Sequence, residues 1–176
     1  MRVLANVILF QLGWFACVLG AAHGLAWAGA LAAALIVVWH VVRAHSPRRE
    51  LALAGCAALL GVVFETLLAQ TGWVRFGSGM LLEGTAPCWM VALWALFATT
   101  LNVSLRGLRT HPWLAALFGA IGGPLAYYAG ARMGAIELAP AGVALAAIAV
   151  GWAIFTPVLL RAALRLEGHA PHGAAP

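Results

Sequence analysis

The sequence predicts an all-α, polytopic transmembrane helix bundle of six spans, with the fifth helix kinked or broken at Gly122-Gly123-Pro124. Three observations predict it. Hydrophobic residues make up 64% of the chain and charged residues 9%, against about 25% charged in a soluble domain. Apolar runs of spanning length follow one another, separated by short polar breaks. The arginines then sort by side. On a six-span reading Arg2, Arg43, Arg48, Arg49, Arg106, Arg109, Arg161 and Arg165 share one face, and Arg75 and Arg132 the other. Basic residues stay cytoplasmic, so this bias predicts a multi-pass protein of the bacterial inner membrane with both termini in the cytoplasm. Adding or removing one span would scatter the arginines over both faces.

Segment one covers Val3 to Ala22. Its Met-Arg start and the small residues Gly20-Ala21-Ala22 have the outline of a signal peptide. Asn6 and Gln11 interrupt the apolar run, which suits a retained span with a buried polar face. Segment two covers Leu25 to Val42, with Trp27 and Trp39 near its ends as in an aromatic belt. The polar linker His45-Ser46-Pro47-Arg48-Arg49 leads to segment three, Glu50 to Gln70. The connection Thr71 to Ala86 is too apolar for a free linker and too short to span twice. It reads as a hairpin or short helix lying on the membrane surface. Segment four begins at Pro87, a favourable first-turn residue, and reaches Leu105. A basic loop, Arg106 to His111, precedes segment five, Pro112 to Ala131. Segment six covers Pro140 to Leu164, with Pro157 near its end. Residues 1–166 thus form one transmembrane domain, and 167–176, rich in Gly, Pro, Ala and His, read as a disordered cytoplasmic tail.

Segment five carries the most unusual stretch, GAIGGPLAYYAGARMG from Gly119 to Gly134. Pro124 has no N–H, and its ring crowds the carbonyl one turn back. Counting from Trp113, it lies roughly 16 Å into a core about 30 Å thick. Lipid cannot satisfy backbone groups freed at that depth, so a break there must face protein or a wet cavity. Gly122, Ala126, Gly130 and Gly134 recur every fourth residue and offer a small-residue stripe for a neighbouring helix. Two readings follow: a kinked, tightly packed span, or a discontinuous helix that builds a mid-membrane binding cavity.

Polar residues at membrane depth fall into two layers. In the outer layer, Glu65 lies well inside segment three, and Arg132 lies at the outer end of segment five with Tyr127 and Tyr128 one turn below. A carboxylate in lipid must be neutral or paired with a cation such as Arg132. It reads either as half of a structural ion pair or as a titrating, substrate-binding group open to the outer face. Arg75, Glu83, Glu137 and His23 fall just beyond the outer helix ends. The inner layer holds Asn6, Gln11, Thr99, Thr100, Asn102 and Ser104, which read as interhelical hydrogen-bonding residues, and His40 reads as interfacial.

The composition also excludes chemistry. The chain has no Lys, so no retinal or pyridoxal Schiff base, and no Asp, so no aspartyl dyad. H-E-x-x-H, G-x-S-x-G and P-loop motifs are absent, and no span carries His at i, i+4. No cofactor and no metal site is indicated; His169 and His172 are too few for one. Cys17, Cys56 and Cys88 stand singly in apolar runs. The pI near 10.1 reflects Arg at helix ends and not a nucleic-acid footprint.

Three strings, QLGWFACVLGA (Gln11–Ala21), PCWMVALWALFATTLNVSL (Pro87–Leu105) and GAIGGPLAYYAGARMGA (Gly119–Ala135), resemble a family of small inner-membrane proteins of unknown function, chiefly proteobacterial. The resemblance implies six spans and a loose tie to lipid metabolism or envelope stress, since genes of that family neighbour enzymes that modify membrane fatty acids. It supplies no catalytic residues.

The leading functional expectation is a non-enzymatic protein that binds or moves a small amphipathic molecule, with lipid-derived molecules among the candidates. Its site would comprise Glu65, Tyr127, Tyr128, Arg132, Gly122, Gly123 and Pro124. The alternatives are a lipid-modifying membrane enzyme using Glu65 as acid or base, and a partner subunit of lipid enzymes. Expected partners are membrane lipids, the small ligand and other membrane proteins.

Overall fold

Six helices and a two-stranded ribbon make up the computed structural model, which describes residues 2–168; the expected tail from His169 onward lies outside the described residues. In chain order these are α1 (Arg2–Ala22), α2 (Ala26–Arg43), α3 (Pro47–Gln70), β1 (Val74–Phe76), α4 (Cys88–Leu101), α5 (Pro112–Arg132), β2 (Ile136–Leu138) and α6 (Ala141–Gly168). A 3-10 turn, Arg106–Thr110, precedes α5. The links α1–α2 and α2–α3 are three residues each, which forces antiparallel neighbours. Gly24 makes the first turn at φ +74°, a backbone conformation open to glycine. At the end of α5, Gly134 (φ +85°) follows the C-cap, and Ala135 N–H donates to the Gly130 carbonyl at 3.0 Å. This glycine-terminated stop is readable in the sequence.

Five helices are long and apolar enough to cross a membrane: all but α4. Helix α4 has 14 residues, about 21 Å, short of a ~30 Å hydrocarbon core. It ends at Leu101 and not at Leu105. There Val103 and Leu105 both donate their N–H to the Thr100 carbonyl, and Asn102 turns its side chain to Glu50. What α4 lacks in length it has in burial. Trp89, Met90, Trp94 and the run Leu96–Leu101 are all buried, and the helix packs against α1, α2, α3 and α6. A helix apolar on every side is a core helix.

Helix α5 removes one of the two readings of its central stretch, the discontinuous helix. It is continuous from Pro112 to Arg132 with Pro124 inside it, so the chain does not break at Gly122-Gly123-Pro124. Proline removes one backbone bond, but the bonds to either side persist, and α6 packs along the same stretch. The close approach is made by Gly119 and Gly123. A Cβ on Gly119 would come within 2.1 Å of the Trp152 carbonyl oxygen, and one on Gly123 within 2.5 Å of the Trp152 ring. The stripe read from the sequence is therefore off by one face: Gly122 and Gly134 look into open space. Gly29 plays the matching role between α1 and α2, where a Cβ would meet the Ala16 carbonyl oxygen at 2.5 Å.

The connection after α3 is also corrected. It folds neither on itself nor into a helix. Residues 74–76 pair antiparallel with 136–138, in the register Val74 to Leu138, Arg75 to Glu137 and Phe76 to Ile136. Each triplet is apolar, charged, apolar, so the two-residue strand period buries Val74, Phe76 and Ile136 and turns Arg75 and Glu137 outward. Those two form an exposed ion pair at 3.3 Å, of a kind worth little. The rest of the connection caps this end of the bundle. The Ser78 hydroxyl donates to the Ala21 carbonyl (3.0 Å) and Gln70 Nε2 to the Gly84 carbonyl (2.8 Å). We call this the strand end. Arg43, Arg48, Arg49, Arg106, Arg109, Arg161 and Arg165 belong to the opposite end, and Arg75 and Arg132 to the strand end.

Candidate binding site

The buried face of α3 reads Leu53, Ala54, Ala57, Gly61, Phe64, Glu65 and Leu68. Helical spacing thus aims Glu65 into the bundle, where it has no exposed surface. Gly61 lies one turn before it. A Cβ there would sit 2.4 Å from the Trp94 ring, so its absence lets the indole of α4 lie against the α3 backbone. Trp94 Nε1 then donates to Glu65 Oε1 at 2.8 Å. The Tyr127 hydroxyl, from α5, donates to the same oxygen. The second oxygen, Oε2, is buried with no hydrogen-bond partner.

Trp152 of α6 completes the cluster. It stacks on Trp94 with ring centroids 4.6 Å apart and planes 23° apart, in the space that Gly123 leaves open. Its Nε1 lies beside the Tyr127 hydroxyl but outside hydrogen-bonding geometry, and so is a buried donor without a partner. Thr156 Oγ1, one turn further along α6, is likewise buried and unpartnered. Phe64 and Phe155 meet Trp94 edge-on, and Phe97 meets Trp152 in the same way. Buried polar atoms are nearly always paired. Three orphans among four helices therefore mark this region as unusual.

A cavity adjoins the cluster between α1, α4 and α5. Its volume is about 70 Å³. Its wall is aromatic: Phe10 and Trp14 from α1, Trp89, Trp94 and Phe97 from α4, Tyr127 from α5 and Trp152 from α6. Ala126, Gly130 and Ile136 complete it on the α5 side. Glu65 does not line this space; it stands behind two residues that do, Trp94 and Tyr127.

The structure thus brings together Glu65 and Tyr127, with Gly123 as the seat of Trp152. It separates the others. Tyr128 is 52% exposed on the outer face of α5, and Arg132 is exposed at its end. Gly122 and Pro124 are half-buried and do not line the cavity. The expected Glu65–Arg132 ion pair does not form. The aromatic donors take that place, because Arg132 falls at the strand end with its side chain in the open. Sequence reasoning missed Trp94 and Trp152. Their signal was position: membrane tryptophans favour the interfaces, so one in mid-helix points to a role inside the bundle.

The other polar layer forms in part: Asn6, Asn102 and Ser104 bond across helices, whereas the Thr99 and Thr100 hydroxyls turn back to the Leu96 and Phe97 carbonyls of α4 itself. Asn6 Nδ2 donates to the Thr99 carbonyl at 3.1 Å, and Ser104 donates to Asn6 Oδ1 at 2.5 Å, tying α1 to α4. Glu50 accepts from Asn102 Nδ2 at 2.6 Å and lies 3.2 Å from His40 Nε2, tying α2, α3 and the end of α4. Gln11 is exposed and takes no part.

Long apolar helices around a buried aromatic core, with polar links at both ends, define a multi-pass helical membrane protein. Within that class, the chain belongs to the DUF2878 family of proteins of unknown function, whose family profile matches residues 3–158. That match spans the helices carrying Glu65, Trp94, Tyr127 and Trp152. The resemblance to a membrane family of unknown function, carried by the three strings, holds. No curated protein and no solved structure matches the chain.

Proposed function

We propose that this protein binds a small amphipathic molecule within the bacterial inner membrane, in the cavity between α1, α4 and α5. The single observation that carries the reading is that cavity: seven aromatic side chains around a void, backed by a fully buried carboxylate. Sites for small molecules are mostly apolar with a few fixed polar groups. Here the polar groups are the Tyr127 hydroxyl and the unpartnered Trp152 indole N–H. The head of such a molecule lies against the rings of this small void, beside the Tyr127 hydroxyl, and its apolar chain runs on between the helices. Lipid-derived molecules fit that description, and membrane lipids are the available source. Catalysis is the weaker reading, because Glu65 stands behind Trp94 and Tyr127 instead of facing the void. The arginine bias further supports a cytoplasmic location for the end opposite the strands, with both termini on that side.

The test is mass spectrometry of molecules that co-purify with the protein, read against its Gly130→Leu variant. A Cβ at Gly130 meets nothing nearer than Ile136 at 4.0 Å, and Gly130 lines the cavity, so a larger side chain there starts from open space beside the void. A species held by the wild type and lost from the folded variant is the expected outcome. The same species retained by the variant refutes the cavity as its site.

A further inference from the structure

Resting on that binding reading, we propose that the cavity selects amphiphiles with a cationic, ammonium-type head over neutral or anionic ones. Two linked features of the site converge on a positive charge. The first is Glu65. It is fully buried, one of its oxygens has no partner, and its hydrogen bonds come from uncharged groups, Trp94 and Tyr127. Among the described residues no cation pairs with it. Arg132 is exposed, Arg75 is paired with Glu137 at the strand end, and buried Arg109 lies at the opposite end of the bundle. A charge removed from water requires a counter-charge. The chain supplies none, so the carboxyl is neutral unless a bound cation holds it in the charged form.

The second feature is the wall itself. Trp14, Trp89, Trp94 and Trp152 all border the void, with Tyr127. Aromatic faces attract ammonium groups through the ring quadrupole, Trp most strongly, and rings grouped around one space form the cage that quaternary ammonium ligands occupy. Trp94 and Tyr127 belong to both features. Each gives its N–H or O–H to Glu65, and each lines the void. Donation to a carboxylate enriches the donor ring in electron density, so Glu65 acts through these rings as a positioning residue. In its charged form it also attracts a cation directly across a medium of low dielectric.

Equilibrium dialysis of the purified full chain in nonionic micelles tests this, with three radiolabelled probes of one chain length: dodecyltrimethylammonium, dodecanol and dodecanoate. The expected result is that the ammonium binds at least tenfold more tightly than either of the others. In Glu65→Gln the ratio of ammonium to alcohol affinity falls severalfold, the ring wall retaining the remainder. Should that variant fail to fold, Trp94→Phe keeps an aromatic side chain but deletes the N–H and the larger indole face, and it lowers the same ratio severalfold. A merely structural role for these residues would not move the ratio. Equal binding of ammonium and dodecanol, or tighter binding of dodecanoate, overturns the cationic preference and leaves the amphiphile site standing. Failure of all three probes to bind the folded protein removes both.

Discussion

Trp94 donates its indole N–H to Glu65 Oε1 at 2.8 Å, joining α4 to α3 at a carboxylate with no exposed surface. Tyr127 adds a second donor to the same oxygen from α5. Replacing Glu65 by Leu leaves both donors buried without an acceptor, at about 1–3 kcal/mol for each orphaned group. The Tyr127→Phe change made on top of it costs less than it does in the wild type, because the hydroxyl has already lost its acceptor. Unfolding of the single and double variants in mixed detergent micelles measures this. Strictly additive losses would mean that the two side chains do not interact.

The α5–α6 seam gives a second expectation. Gly119→Ala drives a methyl into the Trp152 carbonyl oxygen, and Gly123→Ala drives one into the Trp152 ring. Overpacking of this kind costs about 1–3 kcal/mol. Gly122→Ala meets open space and is expected within about 0.5 kcal/mol of the wild type. Equal losses at Gly122 and Gly123 would restore the helix face read from the sequence and contradict the packing described above.

Charged links at the two ends differ in weight. Glu50 is partly buried and holds Asn102 and His40 at once. Its replacement by Ala strands Asn102 and is expected to lower stability by about 1–3 kcal/mol. Glu137→Ala breaks an ion pair whose side chains are 63% and 65% exposed, with a change near or below about 0.5 kcal/mol. Thermal unfolding of the two variants, side by side, compares them. A larger loss at Glu137 would show that the ribbon is held by charge and not by the burial of Val74, Phe76 and Ile136.

Orientation can be read chemically. In a background with Cys17, Cys56 and Cys88 replaced, a cysteine introduced at Ser46 is expected to resist a membrane-impermeant thiol reagent added to intact cells. One introduced at exposed Gly77 is expected to react. The reverse pattern would put the arginine-rich end outside.

Much of the architecture is written in the chain. Hydropathy gives the helices, since apolar runs of 18 or more residues have one way to satisfy their backbone in lipid. Gly24 and Gly134 mark turns, and the arginines group at one end. Glu65 stands out because a lone carboxylate in an apolar run is costly wherever it faces. Its partner does not stand out in the same way. Arg132 looks like the natural match by charge and depth, but one-dimensional depth says nothing of the direction in which a side chain leaves its helix. Tyr127 and Tyr128 are adjacent in sequence, yet one is 5% exposed and the other 52%.

The sequence by itself therefore determined that this is a bundle of membrane helices, where they begin and end to within a few residues, and which acid lies buried among them. Those properties depend on local chemistry: hydrophobicity along the chain, capping and the cost of charge in lipid. Only the tertiary structure decided that α5 stays whole through Pro124, that residues 74–76 and 136–138 pair across 62 positions, and that Glu65 bonds to Trp94 and Tyr127 and not to Arg132. Each of those depends on how helices rotate and pack against one another. That rotation is fixed by close contacts such as Gly61 against Trp94 and Gly123 against Trp152, between residues far apart in the chain.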